Sequence, residues 1–287
     1  MVAFRKLALG GGGSKGLLQI GALRELAKYQ SLEFPEGVYG CSVGSIVATC
    51  ICFRIPLDDK FVNEMTSGIS YSKVLPKPTF QDLTSIFANK GMFDMKQFEE
   101  VITEWFSRFD IDIHSKRIGD TEIPLYIVAS NITKGVPTVF SKSVPILDAL
   151  KCSCCIPGVF KPQELYGQLY VDGGLFLPSM TKIAPDSLYL HLNKQKSEYR
   201  ITPQNIASLS PVDFIKDIYV MAMNQYIGMM KNDSTVELEY PELTSESDFE
   251  DFDISDVLDK GSLAMRRFLA SKGLLEEGSE VLDSRLS

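Results

Sequence analysis

Histidine is scarce. His114 and His191 are the only two in 287 residues, which excludes chemistry that needs several imidazoles. The six cysteines, Cys41, Cys50, Cys52, Cys152, Cys154 and Cys155, lack the spaced Cys/His pairs of a zinc site, and the KCSCC run is too crowded for ordinary bridging. They read as reduced thiols packed in a core. No long apolar run occurs either. The longest, Gly44 to Phe53, falls far short of the ~20 residues a membrane-spanning helix needs. The opening MVAFRKLALGGGG lacks the apolar core and small-residue cleavage site of a signal peptide, so a cytoplasmic location is expected. There is no basic surplus. The net charge is −8, and nucleic acid is not expected as a partner, because phosphate binding needs a concentrated basic surface.

That charge is unevenly spread. Eleven Asp or Glu and no Lys or Arg lie between Asn232 and Asp259; taking that −11 out of −8 leaves +3 on the remainder. The body of the chain is thus near enough to neutral to approach an anionic membrane transiently. The acidic stretch 232–259 is expected to be a mobile loop.

The 45% hydrophobic and 23% charged composition is that of a globular protein able to bury a large core. Lys6 to Leu9 reads as a short buried strand, Leu17 to Tyr29 as a helix with Leu17, Ile20, Leu23 and Ala27 on one face. A second strand covers Gly37 to Tyr39. Val43 to Phe53, apolar almost all round, predicts a buried helix. Leu57 to Ile113 reads as a mostly helical insertion, with Met95 to Phe106 its clearest helix. Strands are predicted over Leu125 to Ala129, Thr138 to Phe140, Leu169 to Val171 and Ser187 to Leu192. Helices are predicted over Pro145 to Cys152, Pro211 to Met230 and Leu263 to Leu275. Strands alternating with helices predict an α/β domain with a largely parallel sheet.

Three short segments carry chemistry. Gly11-Gly12-Gly13-Ser14-Lys15-Gly16 joins a strand to a helix; its glycines bring N–H groups up to a negative oxygen, and the helix adds its positive end. Either a phosphate or a tetrahedral oxyanion suits that loop. Gly40-Cys41-Ser42-Val43-Gly44 matches G-x-S-x-G, a turn that presents a serine hydroxyl above a sheet, although Ser42 as a plain helix N-cap fits the same setting. Asp172-Gly173-Gly174 is by itself an ordinary turn pair. Each segment ends a predicted strand, and open α/β sheets place their active sites at that edge.

In that order, these motifs resemble those of the patatin-like phospholipase family. Ala129-Ser130-Asn131-Ile132-Thr133 through Phe140-Ser141, and Ser153 to Pro162, resemble it as well. The resemblance covers about Lys6 to Pro185. It implies a three-layer α/β/α patatin-like sandwich with a mostly parallel central sheet. Residues 5–185 would form the catalytic domain and 186–287 a C-terminal extension. It also implies that Ser42 is the nucleophile, that Asp172 is the base, and that the amides around Gly11, Gly12 and Gly13 hold the oxyanion. Ser14, Lys15, Gly16, Gly40, Gly44, Gly173 and Gly174 would support the motifs. Lys15 stands where the family has Arg or Lys, and Gly174 where it also accepts Ala.

The shortage of histidine bears on the mechanism. An α/β-hydrolase triad places its histidine late in the chain. His191 is late enough, but Leu188, Leu190 and Leu192 alternate with Tyr189 and His191 as in a strand, which favours a structural role. His114 lies in a polar surface segment. Asp172 is therefore expected to take the Ser42 proton, and to be partly buried to do so. A dinucleotide site would need an acidic residue ending the second strand, where Tyr39-Gly40-Cys41-Ser42 stands. A P-loop would need Gly before Lys15 and Ser or Thr after it.

The expected activity is cleavage of carboxylic esters in phospholipid or other acyl lipids, of the phospholipase A or lysophospholipase type, at a peripheral membrane surface. A neutral-lipid lipase on the same dyad and an inactive lipid-binding scaffold are the alternatives. No EF-hand loop or comparable ligand array adjoins the motifs, so no metal or other cofactor is expected. Tyr71 to Met95 and Pro211 to Met230 are candidate walls of the lipid pocket.

Overall fold

The computed structural model describes residues 4–275 except 69–70, 76–78, 178, 194–200, 205, 210–213, 215–217, 219–220, 222–230 and 243–250. Its strands are β1 Leu7–Leu9, β2 Val38–Cys41, β3 Gly91–Phe93, β4 Leu125–Asn131 and β5 Val136–Val139, then β6 Gly158–Phe160, β7 Gln163–Leu165, β8 Gln168–Asp172, β9 Leu188–Leu192 and β10 Thr235–Leu238. The α-helices are α1 Gly16–Leu26, α2 Val43–Cys52, α3 Asp59–Gly68, α4 Tyr71–Val74, α5 Phe80–Asn89, α6 Lys96–Ser107, α7 Ile146–Ser153 and α8 Ile254–Ser271. The helix expected over 211–230 lies almost wholly outside the described residues.

The main sheet runs β10-β9-β1-β2-β4-β8-β7, with β5 also paired to β4. β10, β9, β1, β2 and β4 are mutually parallel, and β5 and β8 run antiparallel to β4. Two-residue periodicity sorts its side chains. Leu7 and Leu9 join the large core with the apolar residues of α1, α2, α7 and α8. Ala8, Cys41, Val128 and Tyr189 face the other way and pack on Leu177, Met180 and Ala184, beneath the 3₁₀ turns Gly173–Leu175 and Met180–Lys182. The chain is thus an α/β layered sandwich with a mostly parallel sheet, as the sequence predicts.

Two expectations about the C-terminal part are corrected. Residues beyond 185 do not form an appendage, because β9 pairs with β1 and β10 with β9. Nor is the acidic stretch a single loop. Thr235–Leu238 is a strand whose Val236 and Leu238 are buried. α8 begins within the stretch at Ile254, capped by the Asp253 carboxylate on the Ser255 amide. The alternating apolar residues of TVEL outweigh the surrounding charge: Val236 and Leu238 enter the core, and Glu237, on the other face of the strand, pairs with Lys231 at 2.9 Å.

α8 crosses α1 at very short range. A Cβ built on Gly21 would lie 2.1 Å from the Leu258 carbonyl oxygen, and one on Gly261 2.2 Å from that of Leu18. Beside this crossing the fully buried Glu25 carboxylate accepts hydrogen bonds from Lys28, Ser262 and Arg266. Burial would raise its pKa, but the bonds from Arg266, Lys28 and Ser262 outweigh that and lower it from 4.5 to about 2. A depressed folded-state value makes the contribution complete above the ordinary pKa and lost as pH falls through the folded one. Glu25→Gln is therefore expected to cost roughly 3 kcal/mol near neutral pH. In denaturant titrations the gap from the parent should close between about pH 4.5 and pH 2. A gap unchanged across that window would refute the account.

The insertion between α2 and β4 has its own aromatic core. The Trp105 ring lies 5.5 Å from Phe61, 5.0 Å from Phe106 and 5.4 Å from Phe109, holding α3 against α6. It docks through parallel pairing of β3 with β6 and a 2.6 Å ion pair between Lys151 and Glu99. The β3–β6 pair has no counterpart among the predicted strands.

Candidate active site

β2 ends in Cys41 and α2 begins at Val43, so Ser42 alone makes the turn between strand and helix. Its backbone has φ 53° and ψ −132°, a region that costs a residue with a side chain about 1–3 kcal/mol. Three contacts hold it there. The Ser42 amide donates to Ser153 Oγ at 3.0 Å, and Ser153 Oγ donates to the Val128 carbonyl at 2.6 Å. The Ser42 carbonyl accepts from Ser45 Oγ at 2.6 Å. Gly44 must lack a side chain, because a Cβ there would lie 2.4 Å from the Leu9 carbonyl oxygen. The first turn of α2 therefore sits directly on the end of β1, and Ser42 is half-exposed at the lip of the sheet.

The glycine loop comes off that same end of β1. A Cβ on Gly11 would lie 2.8 Å from Ser42 Cβ, so the loop backbone touches the candidate nucleophile. Gly13 has φ 56° and opens a 3₁₀ turn over Gly13–Lys15 that runs into α1. No hydrogen bond from the Gly11, Gly12 or Gly13 amides is found among the described residues. Ser14 is buried and Lys15 is 1% exposed. Lys15 Nζ donates to the Asn193 carbonyl at 3.2 Å, which anchors the loop to the end of β9. Gly16 packs on Val43 and Gly40 on the start of α2.

Asp172 reaches the same edge from the opposite strand direction. β4 lies between β2 and β8, with Cys41 in register with Val128 and Asp172 with Ala129. Ser42 and Asp172 thus flank one position of β4. Asp172 is half-buried. Its amide donates to the Cys155 carbonyl at 2.7 Å, and its Oδ1 accepts from the Gly174 amide at 2.9 Å. Ser130 Oγ donates to the Gly173 carbonyl and accepts from the Phe176 amide, which fixes the Asp-Gly-Gly turn. Burial first, and then the Asp172 charge, pushes up the thiols of Cys41, Cys154 and Cys155, the last to about 12. All six cysteines are buried and free. Those around Asp172 are uncharged neighbours of a carboxylate.

His191 lies across β1 from the Ser42 turn. It sits in β9, 6% exposed, with Nδ1 3.1 Å from the Tyr189 hydroxyl. Burial, with a smaller contribution from Lys231, lowers its pKa to about 4, so the ring is neutral at neutral pH. His114 is exposed, beside Thr103. Among the described residues no group of three or more His, Cys, Asp or Glu is placed to hold a metal ion. Nor is any helix there long and apolar enough to cross a membrane. Part of Tyr71 to Met95 does line a cavity, of about 580 Å³, but Ser42 is not on its wall.

Ser153 and Ser130 are the positioning residues that sequence reasoning missed. Both fall in segments whose family resemblance is visible in the sequence, but a hydrogen bond spanning 111 residues, as from Ser42 to Ser153, leaves no local signal.

A family model described as Patatin-like phospholipase matches residues 7–184. Among similar curated proteins, an uncharacterised protein of Acanthamoeba polyphaga mimivirus is 28% identical over 175 residues, 59% of this chain and 58% of that one. A probable lipid hydrolase of Invertebrate iridescent virus 6 is 25% identical over 216 residues, 71% of each chain. The neuropathy target esterase of Drosophila persimilis is 25% identical over 173 residues, which is 58% of this chain and 11% of that protein. The aligned part thus spans from about a tenth to under three-quarters of these relatives' length. Among solved structures, VipD from Legionella pneumophila aligns with a TM-score of 0.55 at 14% identity, over 93% of this chain and 67% of that one. At that identity the likeness is one of fold.

Proposed function

The chain belongs to the patatin-like phospholipase family, and from that premise we propose that it is a lipid acyl hydrolase of the phospholipase A or lysophospholipase type, working through Ser42 and Asp172. The observation that carries the reading is the contact between the glycine loop and Ser42. In this reading the oxygen of an ester attacked by Ser42 Oγ is held by the amides of Gly11, Gly12 and Gly13; the closeness of Gly11 to Ser42 and the lack of other hydrogen bonds from these amides among the described residues support it. Donors fixed in advance at a developing oxyanion are usually the largest catalytic contribution.

Ser42 Oγ attacks the ester carbon and its proton passes to the Asp172 carboxylate. The tetrahedral oxyanion collapses, the acid returns the proton to the departing alcohol, and an acyl-Ser42 ester remains. Asp172 then takes a proton from water, whose oxygen attacks the acyl carbon; the bond to Ser42 Oγ breaks, Oγ takes the proton from Asp172, and the fatty acid leaves. A probable lipid hydrolase and an esterase among the relatives support the substrate class.

A fluorophosphonate probe tests this directly. The folded chain is expected to take up one label, on Ser42 in the peptide map, with hydrolysis of an acyl ester lost in proportion. Excess chelator should leave hydrolysis unaltered. A chain that neither labels nor hydrolyses would be a lipid-binding scaffold, and complete loss in chelator, restored by calcium, would count against a metal-free dyad.

A further inference from the structure

α5 carries two phenylalanine rings outward. At about 100° per residue, Phe80 and Phe87 project within about 20° of each other, and each is 82% exposed. The half-buried side is Asp82, Ser85 and Ile86. Asp82, Ser85 and Asn89 line the 580 Å³ cavity, shared with Asp94, Gln97 and Lys161. A helix on a water-facing surface normally shows the reverse arrangement. The orientation is firmly set. Thr79 and Asp82 form a reciprocal cap at the start, with the Asp82 carboxylate 2.8 Å from the Thr79 amide. Lys90 ends the helix in a left-handed conformation, φ 63°. Ser85 Oγ donates to the Gly91 carbonyl at 3.1 Å, and Gly91 starts β3, which is paired to β6. A capped helix leading straight into a paired strand has little freedom to roll its rings inward.

The charge is sorted across the helix. Asp82 and Asp94 line the cavity, whereas Lys90 is exposed and off the cavity wall. Lys90 Nζ lies 2.7 Å from the Phe87 carbonyl oxygen, at the edge of the stripe. Exposed aromatic rings bordered by a lysine match the boundary between acyl chains and anionic headgroups.

We infer that α5 docks the chain onto an anionic lipid surface, with Phe80 and Phe87 entering the acyl boundary and Lys90 meeting headgroup phosphates. The inference rests on the lipid acyl hydrolase reading for the nature of the partner, but the contact itself does not involve Ser42.

Partition onto vesicles of phosphatidylcholine with phosphatidylserine, measured by co-sedimentation in a Ser42→Ala background so that the lipid stays intact, separates the two readings. Adding Phe80→Ser with Phe87→Ser is expected to weaken partition roughly tenfold or more. Lys90→Gln should weaken it only on vesicles that contain phosphatidylserine. In the chain with Ser42 intact, the double phenylalanine variant should hydrolyse a dissolved short-chain ester within about twofold of the parent, because its lesion is confined to the interface. Hydrolysis of vesicle lipid should fall in step with binding. Unchanged partition in the double variant would overturn the inference. So would loss of soluble-ester turnover by folded double variant, which would make the stripe a lid over the site. So would a parent dimer that the double variant abolishes and that does not bind vesicles. A parent without esterase activity that still partitions through Phe80 and Phe87 would support the docking helix and refute the enzyme.

Discussion

Ser42→Ala is expected to lower ester turnover by roughly 10⁴-fold or more while leaving the fold intact. The alanine removes the one proposed attacking atom. It disturbs little else, because the Ser42 contacts with Ser153 and Ser45 run through the backbone amide and carbonyl. No hydrogen bond of the Ser42 hydroxyl itself is found among the described residues. Ser42→Gly provides a second, independent reading of the same position. It should be just as inactive, yet more stable by about 1 kcal/mol or more, since glycine relieves the strain of φ 53° and ψ −132°. Turnover assays beside thermal melts check both. Near-native turnover in folded Ser42→Ala would remove Ser42 from the mechanism. A Ser42→Gly variant less stable than Ser42→Ala would show that the turn is not strained.

The second large effect concerns the base. Asp172→Asn keeps the oxygen that accepts the Gly174 amide but cannot take a proton, so turnover is expected to fall by ~10² to 10⁴, the usual worth of a positioned base. His191→Gln and His114→Gln should each stay within a few-fold of the parent. His191 is bonded to Tyr189 and kept neutral by burial, with a pKa of about 4. Its replacement is expected to cost stability more than turnover, and the comparison requires protein shown to be folded. A folded His191→Gln slowed a thousandfold, beside a working Asp172→Asn, would transfer the role of base to the histidine.

The parts of the candidate site that were legible in the sequence lie where a strand ends in glycine and a helix follows. Leu7–Leu9 into Gly11 to Gly13, and Val38–Cys41 into Ser42 and Gly44, show both their periodicity and their punctuation within a dozen residues. The same holds for Gln168–Asp172 before Gly173. What the sequence hid is non-local. TVEL is a strand because β9 lies beside it, and its four residues are outnumbered by acids on both sides. Gly21 reads only as a weak point in a helical pattern, and Gly261 falls before the helix predicted from Leu263, until the two helices are crossed. Phe80 and Phe87 illustrate a further limit. Helical spacing reveals that a stripe exists, but not which way it faces, and the expectation that this segment walls a lipid pocket fails for these two rings.

The strand order has a consequence for the sequence in which the molecule is built. β1 carries the glycine loop, yet one of its two partners is β9, which lies far later in the chain and ends at Leu192. Until that segment exists, the amides and carbonyls on one flank of Leu7–Leu9 have no ladder to join, and Lys15 has no Asn193 carbonyl to hold. Pairings of such long sequence separation form slowly, because the intervening chain must be ordered first. The Ser42 turn waits as well, since its amide is held by Ser153. The glycine loop is seated only when β9 arrives, so the candidate site closes from parts that lie far apart along the chain.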